Sequence, residues 1–197
     1  RGQIINGDQV MALLAVYMKG KGRLRENTLV TTVMSNMGLE LAMKKHGIHM
    51  DVTRVGDRYV LEKMLADGRV LGGEQSGHVI MLDYNTTGDG LVTAVQVITA
   101  MVESQSPLSK LAGVMQTMPQ SQFAAHVSDR RKYDFENNPK ITAKIQELEA
   151  KYKGRGRLVI RASGTEPLVR VMIEGPDQRE MDTDVFALSK LIEQELN

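Results

Sequence analysis

Residues 161–167, Arg-Ala-Ser-Gly-Thr-Glu-Pro, bring an arginine, two hydroxyls and a glycine into one short stretch. An arginine offers a planar fork of donors that matches phosphate geometry. Ser163 and Thr165 add hydroxyl donors, and Gly164 lets main-chain N–H groups approach an anion closely. Glu166 limits how basic the loop is, and Pro167 fixes its exit. Ser-Gly-Thr is also ordinary turn chemistry, so the stretch by itself leaves open a plain turn. A second constellation lies at 72–78, Gly-Gly-Glu-Gln-Ser-Gly-His. Three glycines there point to sharp bending or to close approach of a ligand. Glu74, Ser76 and His78 alternate, and in an extended segment they would emerge on one side. A carboxylate, a hydroxyl and an imidazole on one edge suit a polyhydroxylated ligand. A Gly-rich hairpin with solvated polar residues is the competing interpretation.

Other patterns carry no chemistry. The cations Lys151, Lys153, Arg155, Arg157 and Arg161 have no aromatic residues interleaved for base stacking, which argues against nucleic acid. Asp83–Asp89 has the outline of a calcium loop, but Ala94 stands at its twelfth position where a glutamate is needed. Gly154-Arg-Gly156 lacks the third glycine of a dinucleotide fingerprint. His46, His49, His78 and His126 are too scattered to form a metal pattern. Net charge is +1 and cysteine is absent, so there is no general attraction to polyanions and no thiol or thiolate metal chemistry. No apolar run reaches the roughly 18–20 residues of a membrane span. With 42% hydrophobic residues the chain can build true cores, and its 13 methionines are expected to fill them.

The elements that must position these loops follow from periodicity. Asp8 is expected to cap a helix carrying Val10, Leu13, Leu14, Tyr17 and Met18. Thr28–Met34 is a nearly uninterrupted β-branched run, as in a strand buried on both faces. Ser35 or Asn36 should cap a helix with Leu39, Met43 and Leu41 inward. Met50–Val55 is a second strand, Asp57 caps a helix through Val60, Leu61, Met64 and Leu65, and Val79–Leu82 is a third strand. Helices over 87–103 and 106–118 follow. The alternation predicts a layered α/β/α domain with a mixed sheet over 1–118. Residues 119–197 run strand, helix, strand, strand, helix. They predict a small α+β domain with an antiparallel sheet, its helices marked by Ile141, Ile145, Leu148 and Tyr152, then by Met181, Val185, Leu188 and Ile192.

Taken together, the two loops resemble those of the α-D-phosphohexomutases, and within them the branch that acts on glucosamine phosphates. Asn6–Gln9, Met34–Glu40, Val55–Val60 and Thr86–Gly90 extend the likeness in the same order along the whole chain. The resemblance implies interconversion of a hexosamine 6-phosphate and 1-phosphate through a bisphosphate. It makes 72–78 a sugar-binding loop in a third domain and 161–167 a phosphate-binding loop in a fourth. Glu74 and Ser76 would then hold sugar hydroxyls, with His78 and Arg58 assisting on the sugar side or in acid–base steps. Arg161, Ser163, Gly164 and Thr165, with Arg170, would anchor the phosphate that is not reacting. The family's phosphoserine and its Mg²⁺ belong to earlier domains, whose ligands are expected upstream of residue 1, so no metal ligand or phosphoryl donor is expected here. A cytoplasmic location and, as one allowed assembly, a homodimer are further implications. An enzyme acting on glucose and mannose phosphates, and a non-catalytic phosphosugar-binding module, are the alternatives.

Overall fold

The computed structural model describes residues 2–197, which form two compact units, one running to Thr117 and the other comprising Met118–Asn197. In the first, helix α1 (Gly7–Gly20) precedes strand β1 (Thr28–Thr32), α2 (Met37–Lys45), β2 (His49–Thr53), α3 (Asp57–Asp67), β3 (Leu71–Gly73) and β4 (Val79–Met81). Helix α4 (Gly90–Glu103) and the single turn α5 (Leu108–Leu111) complete it. The sheet order is β2-β1-β3-β4, with β2, β1 and β3 parallel and β4 antiparallel to β3. Every residue of β1 is buried, as expected of a strand rich in β-branched residues and covered on both faces. Leu29 faces α1 and α2, joining Met11, Leu14, Met18, Leu39 and Met43. Val30 faces the other way and packs with Val60 and Met64 of α3. The sheet is therefore covered on both faces, the layered arrangement expected of a βα alternation.

Several local expectations give way to specific contacts. Asn6, not Asp8, caps α1: its side chain accepts from the Gln9 N–H at 3.1 Å, and Gln9 Oε1 accepts the Asn6 N–H at 3.2 Å. Asp8 is instead fully buried, with Oδ2 accepting the Asn36 N–H at 2.8 Å. Asn36 in turn caps α2 through the Gly38 N–H. Leu41 points outward at 47% exposure, and Leu65 at 62%. Asp57 is the first residue of α3 rather than its cap; Gly56 takes that place at φ 131°, a conformation that favours glycine. The helix expected over 106–118 stops at Leu111, passes through a 3₁₀ turn at Ala112–Val114, and turns extended at Met115.

The second unit is β5 (Gln120–His126), α6 (Pro139–Tyr152), β6 (Arg157–Ala162), β7 (Leu168–Glu174) and α7 (Gln178–Leu196). Its sheet is antiparallel in the order β5-β7-β6. Val169, Val171 and Ile173 are fully buried against Ile141, Leu148, Tyr152, Met181, Val185, Leu188 and Ile192 of the two helices. Alternation then places Leu168, Arg170, Met172 and Glu174 on the opposite face of β7.

Candidate functional site

In the first unit, the candidate residues gather where β3 meets β4. Gly72 and Gly73 are not loop residues: they belong to β3, and close packing demands them. A Cβ on Gly72 would come within 2.6 Å of Met64 Sδ and 2.9 Å of Val60 Cγ1; one on Gly73 would strike the His78 carbonyl. The loop proper is a tight turn over 74–77. The Gly77 N–H donates to the Glu74 carbonyl at 3.0 Å, and the Glu74 N–H donates to the His78 carbonyl at 2.9 Å. Glu74, Ser76 and His78 therefore do not share an edge through extended alternation. Glu74 and His78 flank the turn, and exposed Ser76 sits at its tip.

Three neighbours fix this turn. Gly7, at the start of α1, donates its N–H to the Gln75 carbonyl at 3.0 Å, and a Cβ there would collide with the Glu74 carbonyl. The Gly56 N–H, at the N-terminus of α3, donates to Glu74 Oε1 at 3.0 Å. A carboxylate at a helix N-terminus is favoured by the exposed N–H groups and the helix dipole. The His78 ring lies against Gly88, where a Cβ would overlap it, and its Nε2 stands 3.7 Å from Asp57 Oδ2. Arg58 is not brought to this turn. Its Nε donates to Glu62 Oε1 at 2.7 Å along the exposed surface of α3, and that bond raises its pKa. Arg54, not singled out from the sequence, stacks on Tyr59 with 4.1 Å between guanidinium and ring centroid, two residues before the amide that holds Glu74. Asp89 caps α4 and accepts from the Leu91 and Val92 N–H groups; these bonds, the Val92 one foremost, together with Asn85, hold its carboxyl below the usual range. A cavity of about 810 Å³ in this unit lies between Gln3–Asn6 and Pro107–Met115, and neither Glu74 nor His78 lines it.

In the second unit, residues 163–167 join β6 to β7. Ser163 is buried; its N–H donates to the Leu168 carbonyl at 2.9 Å and its Oγ accepts the Glu166 N–H at 3.2 Å. That hydroxyl shapes the loop and still has its own proton to donate. Gly164 and Thr165 are exposed. Arg161 and Arg170 are direct cross-strand partners, so both guanidinium groups rise from one face of the sheet beside the loop. Like charges placed directly opposite are unfavourable unless an anion joins them. Arg170 Nη2 donates to Glu166 Oε2 at 2.7 Å, while Arg170 Nε is buried and makes no hydrogen bond. Among the described residues there is no group of three or more His, Cys, Asp or Glu side chains that could hold a metal ion.

Residues 6–118 match the family model described as phosphoglucomutase/phosphomannomutase, alpha/beta/alpha domain III, and residues 124–183 match that of the C-terminal domain. The chain belongs to the phosphoglucomutase/phosphomannomutase family. Its relatives at about half identity carry a narrower name. Phosphoglucosamine mutases of Ruminiclostridium cellulolyticum and Caldicellulosiruptor bescii are each 52% identical over 196 residues, covering 100% of this chain. The chain spans 44% of the length of each. Among solved structures, N-acetylphosphoglucosamine mutase of Aspergillus fumigatus superposes with a TM-score of 0.81 at 19% identity, over 98% of this chain and 44% of that one. The same enzyme in complex with GlcNAc-6P and magnesium gives 0.80 at 19% identity, over 96% of this chain and 47% of that one. At such identities these two establish the shared fold. Among the described residues no helix is long and apolar enough to cross a membrane.

Proposed function

We propose that this chain is the ligand-orienting part of a mutase that interconverts glucosamine 6-phosphate and glucosamine 1-phosphate through a bisphosphate. The substrate class is supported by the 52% identity to phosphoglucosamine mutases along the whole chain. The observation that carries the phosphate role is the Arg161–Arg170 cross-strand pair beside a loop of exposed donors. A bisphosphate must present first one phosphate and then the other to the reacting centre, so its distal phosphate needs an anchor. Arg161 and Arg170, the Ser163 and Thr165 hydroxyls and the Gly164 amide supply charge and directed donors for it. Glu74 and Ser76 are proposed to take vicinal sugar hydroxyls, and His78 to assist proton transfer. In this scheme domains 1–118 and 119–197 bring the sugar loop and the phosphate loop respectively. The phosphoryl donor and the Mg²⁺ that such a reaction uses would come from the remainder of a longer protein, and a cytoplasmic location fits such a substrate.

The test compares a longer protein carrying this chain with its Arg161→Ala variant on glucosamine 6-phosphate. Loss of a charge-assisted phosphate contact of about 1.5–3 kcal/mol predicts roughly a ten- to hundredfold fall in kcat/KM. The isolated chain should bind glucosamine 6-phosphate weakly and show no turnover. A near-normal rate in the variant would remove the anchor role.

A further inference from the structure

Glu166 is the one acid in the 161–167 loop, and its carboxylate takes Nη2 of the very arginine that the proposed anchor would use. The pair is incomplete. Glu166 Oε2 engages a single nitrogen, and the adjacent Nε–H of Arg170 is buried with no acceptor. A guanidinium offers Nε and Nη2 as a parallel fork to one tetrahedral or planar anion. A phosphate oxygen pair could accept from both, satisfying the buried Nε–H that Glu166 leaves bare. Such an unpaired buried donor is costly, so exchanging the carboxylate for a phosphate recovers a hydrogen bond. The loop geometry keeps Glu166 at hand: its N–H is tied to Ser163 Oγ at 3.2 Å, and its side chain remains half exposed. Across the sheet Arg161 faces Arg170, and the Glu166 charge offsets their mutual repulsion.

We infer that Glu166 is an internal counter-ion that holds Arg170 while the phosphate site is empty and yields it when a phosphate arrives. It acts as a positioning residue, and it weakens the site as well as organising it. A ligand that must be released and re-seated with its other phosphate in the anchor gains from a competitor that refills the arginine as the phosphate departs. This inference rests on the phosphate-anchor role proposed above.

The probe is inorganic phosphate, titrated into the 197-residue chain and its Glu166→Gln variant at low ionic strength, with the Gly164 and Arg170 amide resonances followed by NMR. The glutamine keeps the size and can still accept from Nη2, but carries no charge. Exposed ion pairs contribute about 0.2–1 kcal/mol, so Glu166→Gln should bind phosphate about 1.4- to fivefold more tightly. The gap should close as salt is raised, because the competition is electrostatic. The urea midpoint of Glu166→Gln should fall by no more than one exposed ion pair contributes, so both proteins remain folded throughout the titration and a change in affinity reports on the site. Equal or weaker binding by Glu166→Gln overturns the counter-ion role while leaving the anchor intact. If phosphate shifts neither protein, both the counter-ion and the anchor fall.

Discussion

Two glycine positions show how differently one residue type is used. Gly72 has Met64 Sδ and Val60 Cγ1 pressed against the place of its missing Cβ, while nothing lies within 4 Å of that place at Gly164. Gly72→Ala is therefore expected to force the α3 side chains aside and cost about 1–3 kcal/mol of stability. Gly164→Ala should leave the urea midpoint almost unchanged; equal losses at the two sites would contradict this packing. From the sequence alone, Gly72 and Gly164 both looked like residues that let a ligand approach. Only Gly164 keeps that freedom, because the sequence pattern carries no sign of the distance between β3 and α3. Glu74 is a similar case. Its type and its neighbours announced a site, yet its bond to the Gly56 amide joins residues eighteen apart in sequence and could not be read from spacing.

At the scale of elements, periodicity served well where one face meets a core. Leu39 and Met43, Ile141 and Leu148, and Met181, Val185, Leu188 and Ile192 are buried as their spacing demands. The three-residue strand β3 went unseen because two of its three residues are glycines, which resemble loop rather than strand. Caps were misjudged where several candidates adjoin: Asn6 and Asp8 both suit a helix start, and only the buried bond from Asp8 to the Asn36 amide decides between them. Asp89 gives a pH signature to one such cap. Its carboxyl is held below the usual range by the Val92 amide and by Asn85. A depressed folded-state pKa means its contribution is fully present above the unfolded value of about 3.9 and is lost as pH falls through the folded one. Asp89→Asn keeps a capping oxygen but cannot titrate, so its stability should fall less steeply with acid below about pH 4 than that of the parent. Parallel slopes in urea titrations across that range would refute the assignment.

For the molecule as a whole, α4 is the least settled surface. It carries a single charged residue, Glu103, and its outward positions Leu91, Val95, Ile98 and Val102 are 57–82% exposed. A helix apolar on both faces is ordinarily covered, and a patch of this kind attracts hydrophobic dyes. The isolated chain should enhance anilinonaphthalene sulfonate fluorescence, and Val95→Lys with Val102→Lys should lower that signal without changing the far-UV circular dichroism. An unchanged signal would place the dye elsewhere. Another feature matters to anyone recombining parts of this family. The family match begins at residue 6, and a swap point there looks natural. Gly7, however, carries the turn at Gln75 on its own amide, with no room for a side chain. A chimera spliced between Asn6 and Gln9 with any bulkier residue at position 7 would keep Glu74 and Ser76 in its sequence and still displace the turn that carries them, far along the chain from the seam.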